Sequence, residues 1–384
     1  MPEQPPSVVA RLLTAVAGEL DELGRTAAGT ADLGTRLGHA RELLSWARDQ
    51  LPGDTPVTAP AEPETARDPT PAEITAYLRG RRPDSADEAH RVRMIRGGFS
   101  KRTILVSATL DGVGREVVLR QVPAGRKARS LAPEFAVVRA LHEAGIPVPE
   151  PLWIEPEANA LGGAFFVTAR ASGENFGDVW GGSGVSKEIC AEIARIYARI
   201  HLADVHGVET PVSPRSTPDE LRQTLDWQSS TLRKREITIE PPLASLFSWL
   251  RENIPANPGT ASLLHGDAAF SNLLIEDGHV SAILDWEMAH FGDPAEELAY
   301  LRPSIEPVLP WEDFLDEYEQ AGGRRPDNAS LRFFEVWSHV WRHIGCLWLS
   351  QNFVSTGRYA AAVAAFVHGP RFLQQALRSA FPDS

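Results

Sequence analysis

The residues with the most chemical content lie close together, in the segment 264–294. Asp267 is followed five residues later by Asn272, and Asp285 closes a short apolar run at 280–284. His265 and Gly266 precede the first aspartate, and Trp286 and Glu287 follow the second. Phosphoryl transfer from a nucleotide needs such a set. One carboxylate takes the proton of an attacking hydroxyl, and an amide oxygen with a second carboxylate holds Mg²⁺ on the phosphates. Asp267 is therefore the candidate general base, and Asn272 and Asp285 are the candidate metal ligands. The apolar runs 273–275 and 280–284, separated by Glu276-Asp277-Gly278-His279, predict a hairpin that carries Asn272 and Asp285 to the same end. His265 reads as a buried residue that holds the loop by hydrogen bonds. Glu287 and Asp293 either order the chain after Asp285 or face the substrate.

These groups need a frame. Upstream, the apolar pattern has period 2 and predicts strands at 91–95, 102–109 and 116–120. Asp111-Gly112 supplies a hairpin turn between the second and third. A helix follows at 133–144, closed by Gly145 and Pro147, and then strands at 152–155 and 164–168. Thr70-Pro71-Ala72-Glu73 is a capping-box start for a short helix over 71–78. Beyond Gly184 the period is helical at 186–204, 217–234, 243–253, 311–322, 328–350 and 357–380. Only the catalytic segment interrupts these helices.

The quoted motifs carry a family resemblance. Leu264-His265-Gly266-Asp267, Asn272-Leu273-Leu274, Leu284-Asp285-Trp286-Glu287 and Gly292-Asp293-Pro294 resemble the aminoglycoside phosphotransferase-like enzymes. Those are small-molecule kinases that share the protein kinase fold. Within them the chain looks most like the branch related to the kinase domains of acyl-CoA dehydrogenase fusion proteins. The branch usually has Gly before the Asn, where this chain has Ser271, and an aromatic-basic pair after His-Gly-Asp, where Ala268 and Ala269 stand. The resemblance implies an α+β, protein kinase-like bilobal fold, with a five-stranded antiparallel N-lobe (72–170) and a mainly helical C-lobe (171–384). It implies a small hydroxyl-bearing substrate, Mg²⁺, and ATP or GTP as donor. Hydroxyacyl-CoA and aminoglycoside acceptors both stay open.

Kinase-like placement gives the upstream residues their roles. Gly97, Gly98 and Ser100 join the first two strands, where glycines let backbone N–H groups approach phosphate oxygens. Arg120 ends the third strand, where protein kinases carry Lys, and its guanidinium can meet α- and β-phosphates. Glu134 in the following helix is its expected partner. Thr168 and Arg170 lie where the chain passes between lobes, so the adenine edge would meet backbone groups there. Two other clusters read as ordinary surface and core. Arg126-Lys127-Ala128-Arg129 is a solvated loop, and Glu335, His339 and His343 share one helix with an aromatic core face.

Before this catalytic body, apolar spacing predicts two helices, 7–24 and 33–51, in an appendage spanning 1–52. A Pro-rich linker covers 53–71. Two such helices cannot bury both faces alone, so they pack on the body or form a homo-oligomer. Residues 1–384 carry a net charge of −13, which repels nucleic acid and anionic membranes. Two distant cysteines and no signal-like start suit a cytoplasmic protein. The alternative to a kinase is a nucleotide-binding pseudokinase that uses the N-terminal helices to hold a partner. The presence of Asp267, Asn272 and Asp285 together favours the enzyme.

Overall fold

The computed structural model describes residues 69–95, 101–123, 131–157, 161–175, 185–205, 207–256, 260–356 and 359–382. The expected helices at 7–24 and 33–51, nearly all of the linker, the loop with Gly97, Gly98 and Ser100, and the basic run 126–129 lie outside these residues. Two compact units are present. One comprises Ala66–Ile239 with Ala244–Ser338 and holds every described candidate residue of the catalytic site. The other includes Glu240–Leu243 and His339–Ser384. Within that second unit, His343 Nδ1 meets the Gly369 carbonyl at 2.8 Å.

The first unit starts with helix α1 (Pro71–Arg81), capped by Thr70 and Glu73 in the expected box. Strands β1 (Glu88–Ile95), β2 (Arg102–Leu110), β3 (Val113–Pro123), β4 (Pro151–Glu155) and β5 (Gly163–Ala169) form one antiparallel sheet, ordered β1-β2-β3-β5-β4. Asp111 and Gly112 both take positive φ, which matches the twist of the β2–β3 hairpin. Alternate residues Ile104, Val106, Ala108 and Leu110 of β2 are buried with Phe165, Val167 and, from α1, Ile74 and Leu78. Period 2 in the sequence thus became one buried sheet face. Helix α2 (Leu131–Glu143) lies between β3 and β4 in chain order.

The larger lobe contains α3 (Lys187–Leu202), α4 (Pro218–Lys234) and α5 (Pro241–Glu252). The catalytic segment follows as short strands: β7 (Ser262–Leu264), β8 (Leu273–Glu276), β9 (His279–Ile283) and β10 (His290–Gly292). β6 (Glu174–Asn175) joins β8 and β9 in a three-stranded sheet. In chain order α6 (Pro294–Ile305) and α7 (Trp311–Gln320) follow; after them come α8 (Asn328–Thr356), which from His339 on belongs to the other unit, and α9 (Tyr359–Ala380), which belongs to it wholly. Sequence periodicity does not predict α6. Its twelve residues include Pro303, and both Glu296 and Glu297 are buried, so its apolar stripe is broken by charge. Its start is nevertheless standard, with Asp293 as cap and Pro294 at the first position.

Buried charge in this lobe gives the fold a testable acid limb. Glu296 lies 2.8 Å from Arg215 and 3.2 Å from His290. Burial pushes its carboxyl up, but His290 and Arg215 outweigh burial and hold it at about 2, against an ordinary 4.5. A depressed carboxyl stabilises the fold above its unfolded value and loses that contribution as pH falls through the folded value. Glu296→Gln should therefore lower the urea midpoint at neutral pH. The gap from the parent should shrink as pH is taken from 4.5 toward about 2. A gap that is constant across that window would show that Glu296 is not held ionised in the fold.

Candidate active site

One strand pairing sets the site. β7 and β10 run antiparallel with Leu264 opposite His290, so the chain entering the His265–Asp267 loop lies against the chain leaving Asp285. Gly266 makes the turn at φ +77°, and a β-carbon there would overlap the Met288 carbonyl oxygen. His265 is fully buried. Its Nε2 meets the Leu284 carbonyl at 2.8 Å and its Nδ1 accepts from the Asp267 N–H at 3.2 Å. The ring lies 4.6 Å from that of Trp286. The histidine is thus a brace between the two halves of the segment, as its place in the sequence suggested.

The expected hairpin forms, with Asp277 and Gly278 at positive φ in its turn. The Asn272 carbonyl accepts from the Leu284 N–H at 2.8 Å, which brings Asn272 beside Asp285. Asn272 Nδ2 donates to the Asp267 carbonyl at 2.9 Å and lies 3.3 Å from Asp267 Oδ2. With its nitrogen so committed, the amide turns its oxygen the other way. Asp285 sits in the left-handed region at φ 65°, an uncommon conformation for a residue with a β-carbon.

Asp285 Oδ1 accepts from Arg120 at 2.6 Å. The sequence pairs Arg120 with Glu134, and the structure pairs them differently. Lys101 at the foot of β2 lies 2.6 Å from Glu134 and 2.6 Å from Glu287. The Lys101 side chain is 1% exposed, so both contacts are shielded from water. Arg120 still feels Glu134 through space. Burial opposes its charge, but Asp285, Glu134 and Glu287 together raise its proton affinity above the ordinary value. Burial pushes the Glu134 carboxyl up against the pull of Lys101 and Arg120. It pushes Asp285 up against the pull of Arg120. Glu287 is thus tied to the smaller lobe, and Asp293 caps α6 by accepting from the Ala295 N–H at 2.9 Å.

Thr168 is buried in β5. The Arg170 guanidinium reaches Glu116. The N–H groups of Ala169 and Arg170 donate to the Glu150 and Glu116 carbonyls. Glu335 pairs with Arg302. No group of three or more His, Cys, Asp or Glu residues among those described could hold a metal ion by itself.

Sequence reading missed three residues of this site. Lys101 directly follows the glycine loop in sequence, and its partners, Glu134 and Glu287, become visible only in the folded chain. Glu297 and Tyr300 lie one turn apart on α6. Glu297 accepts from the His265 N–H at 2.9 Å and the Gly266 N–H at 3.0 Å. Tyr300 donates to Asp267 Oδ1 at 2.7 Å. Burial works against the Glu297 charge, but the His201 hydrogen bond and the attraction of His201 and His265 outweigh it, so its carboxyl is held below the ordinary range. Asp293-Pro294 was the available sign of α6, read only as part of a motif.

The sequence profile of the phosphotransferase enzyme family matches residues 91–334, and the chain belongs to that family. Acyl-CoA dehydrogenase family member 11 of Rattus norvegicus is 31% identical over 244 residues, which cover 59% of this chain and 30% of the rat protein. The Mus musculus counterpart is 28% identical over 286 residues, 70% of this chain and 35% of its own length. The chain thus spans about a third of the length of these relatives. Among solved structures, a Ralstonia eutropha protein assigned to the aminoglycoside phosphotransferases aligns with a TM-score of 0.64 and 20% identity, covering 80% of this chain and 97% of its own. Spectinomycin phosphotransferase, solved with ADP and spectinomycin, aligns at 0.55 with 12% identity, covering 82% and 99%. Aminoglycoside 2′-phosphotransferase-IIIa, solved with GDP, aligns at 0.54 with 15% identity, covering 82% and 100%. The fold is that of the aminoglycoside phosphotransferase-like kinases.

The donor set suits Mg²⁺. It offers one amide oxygen and one carboxylate, both hard oxygen ligands, and Mg²⁺ takes few protein ligands when phosphates supply the rest. The backbone that presents this set depends on Gly266. Gly266→Ala would add left-handed strain of ~1–2 kcal/mol and a clash with the Met288 carbonyl. The variant should unfold at clearly lower urea than the parent. An unchanged midpoint would mean that the loop is not fixed where the structure has it.

Proposed function

We propose that this chain transfers the γ-phosphate of ATP or GTP, with Mg²⁺, to a hydroxyl of a small molecule. The observation that carries the reading is the placement of Asn272. Its amide nitrogen is bound to Asp267 and its backbone to Leu284, so base and metal ligands form one unit. Asp267 receives the acceptor hydroxyl's proton as that oxygen bonds to the γ-phosphorus. The bridging oxygen leaves with the β-phosphate, so atoms and charge balance. Asn272 and Asp285 would hold Mg²⁺, which supplies neutralising charge on the phosphates. Arg120 is the cation nearest to Asp285 and serves the α- and β-phosphates. Gly97, Gly98 and Ser100 would supply backbone N–H and hydroxyl contacts to those phosphates, and Lys101, next in sequence, forms a buried ion pair with Glu134. The adenine or guanine edge meets backbone groups at and beyond Thr168 and Arg170. Since the Ala169 and Arg170 N–H groups are already used, carbonyls and the chain past Arg170 supply that edge.

The domain reading remains an appendage at 1–52, a linker at 53–71, an N-lobe at 72–170 and a C-lobe at 171–384. No helix among the described residues is long and apolar enough to cross a membrane. Cys190 and Cys346 are buried free thiols, each pushed up to about 11 by burial, which suits an unreactive role in a reducing cytoplasm. The acceptor is sought by incubating the protein with Mg·ATP or Mg·GTP and fractions of hydroxyl-bearing metabolites. Mass spectrometry should find a product heavier by one phosphate.

Two variants separate the roles. Asp267→Ala should keep Mg·nucleotide affinity within a few-fold and lose most turnover, because a general base contributes ~10²–10⁴-fold to the chemical step. Full turnover at saturating substrate would remove Asp267 from that role. Arg120→Met should change two affinities in opposite directions. Freed of the guanidinium, Asp285 should bind Mn²⁺ alone more tightly than in the parent. Mg·ATP, deprived of a phosphate partner, should bind more weakly. Calorimetry that shows both affinities falling together would mean that Arg120 does not compete with the cation for Asp285.

A further inference from the structure

Helix α6 touches the catalytic loop twice from one face. Glu297 holds the His265 and Gly266 N–H groups, and Tyr300, three residues on, reaches the side chain of Asp267. Residues three apart on a helix are neighbours on its surface, so the same turn that fixes the loop backbone fixes the carboxylate. The Asp267 carboxylate is therefore held from two sides. Oδ1 accepts from the Tyr300 phenol at 2.7 Å, and Oδ2 has the Asn272 amide at 3.3 Å. The first is a short bond of a neutral donor to a charged acceptor, the stronger class. The second is long, and that amide is better engaged with the Asp267 carbonyl at 2.9 Å.

We infer that Tyr300 is a positioning residue for the general base, which pins Asp267 through Oδ1 and leaves Oδ2 as the oxygen that receives the nucleophile's proton. The inference rests on the kinase reading and deepens it. A carboxylate free to rotate about its last bond would spend much of its time with neither oxygen aimed at the nucleophile. Proximity gains of this kind are lost with small misplacements. The phenol removes that freedom without blocking the proton-accepting oxygen.

The experiment uses water as the nucleophile, so no acceptor need be known. Slow hydrolysis of Mg·ATP is measured for the parent, Tyr300→Phe, Asp267→Asn and the double variant, together with Mg·ATP affinity by calorimetry. Tyr300→Phe should lower kcat about tenfold, the order of one charge-assisted hydrogen bond, with KM and Mg·ATP affinity unchanged. In the Asp267→Asn background the same substitution should cost less than about twofold, because its effect runs through the missing carboxylate. Equal losses in both backgrounds, no loss in either, or a fall in nucleotide affinity matching the fall in kcat would each overturn the inference. If Asp267→Asn hydrolyses Mg·ATP as fast as the parent, the base assignment itself fails and this inference falls with it. A Tyr300→Phe loss confined to the Asp267 background upholds both.

Discussion

A buried carboxylate, Glu297, accepts two backbone N–H groups from the loop that carries the candidate base. It answers two successive backbone donors, one of them on the fully buried His265. His265 and Gly266 turn sharply, one N–H after the other, where no strand partner exists. Leaving such groups unpaired in the interior costs ~1–3 kcal/mol each. Glu297 meets both at once and is itself kept charged by donors from His201 and the loop. His265 then spends its two ring nitrogens inward, on Leu284 and Asp267. Each satisfied group fixes the next, from α6 through the loop to the segment of Asp285.

A second constraint joins the lobes. Two basic side chains, Lys101 and Arg120, meet three acidic ones, Glu134, Asp285 and Glu287. Pairs of this kind must be judged by burial. Arg170 with Glu116 is exposed at 45% and 54% and is worth ~0–1 kcal/mol. Lys101 with Glu134 is exposed at 1% and 3%, so losing Lys101 would leave a buried carboxyl without its closest cation, a change of ~3–5 kcal/mol, whereas losing Glu134 leaves Lys101 still paired with Glu287. The surplus of one acidic side chain would, on the proposed reading, suit a site that receives a cation. Arg120 on Asp285 balances part of it. A nucleotide bringing its own metal would exchange that guanidinium for a divalent ion and give Arg120 phosphate oxygens in return.

Much of this was legible in the sequence because it rests on local spacing. Period 2 at 102–109 became the buried face of β2, and Asp111-Gly112 became its turn. The hairpin between Asn272 and Asp285 came out as expected. The pairing of charges was not legible. Arg120 and Glu134 lie in the expected elements, yet Lys101 takes Glu134 and Arg120 takes Asp285, a choice made by the folded chain that no periodicity records. Helix α6 was missed for a related reason. Buried Glu296 and Glu297 look like a solvated face until Arg215, His290 and His201 surround them. Tyr300 was lost with the helix that carries it.

The central claim is that this site binds a nucleotide through a metal held by Asn272 and Asp285. The most direct test is calorimetric titration of the full chain with a non-hydrolysable ATP or GTP analogue, with and without Mg²⁺. Binding to one site, weakened strongly when Mg²⁺ is withheld or chelated, is the expected result. Metal-independent binding, or none of either analogue, would contradict it.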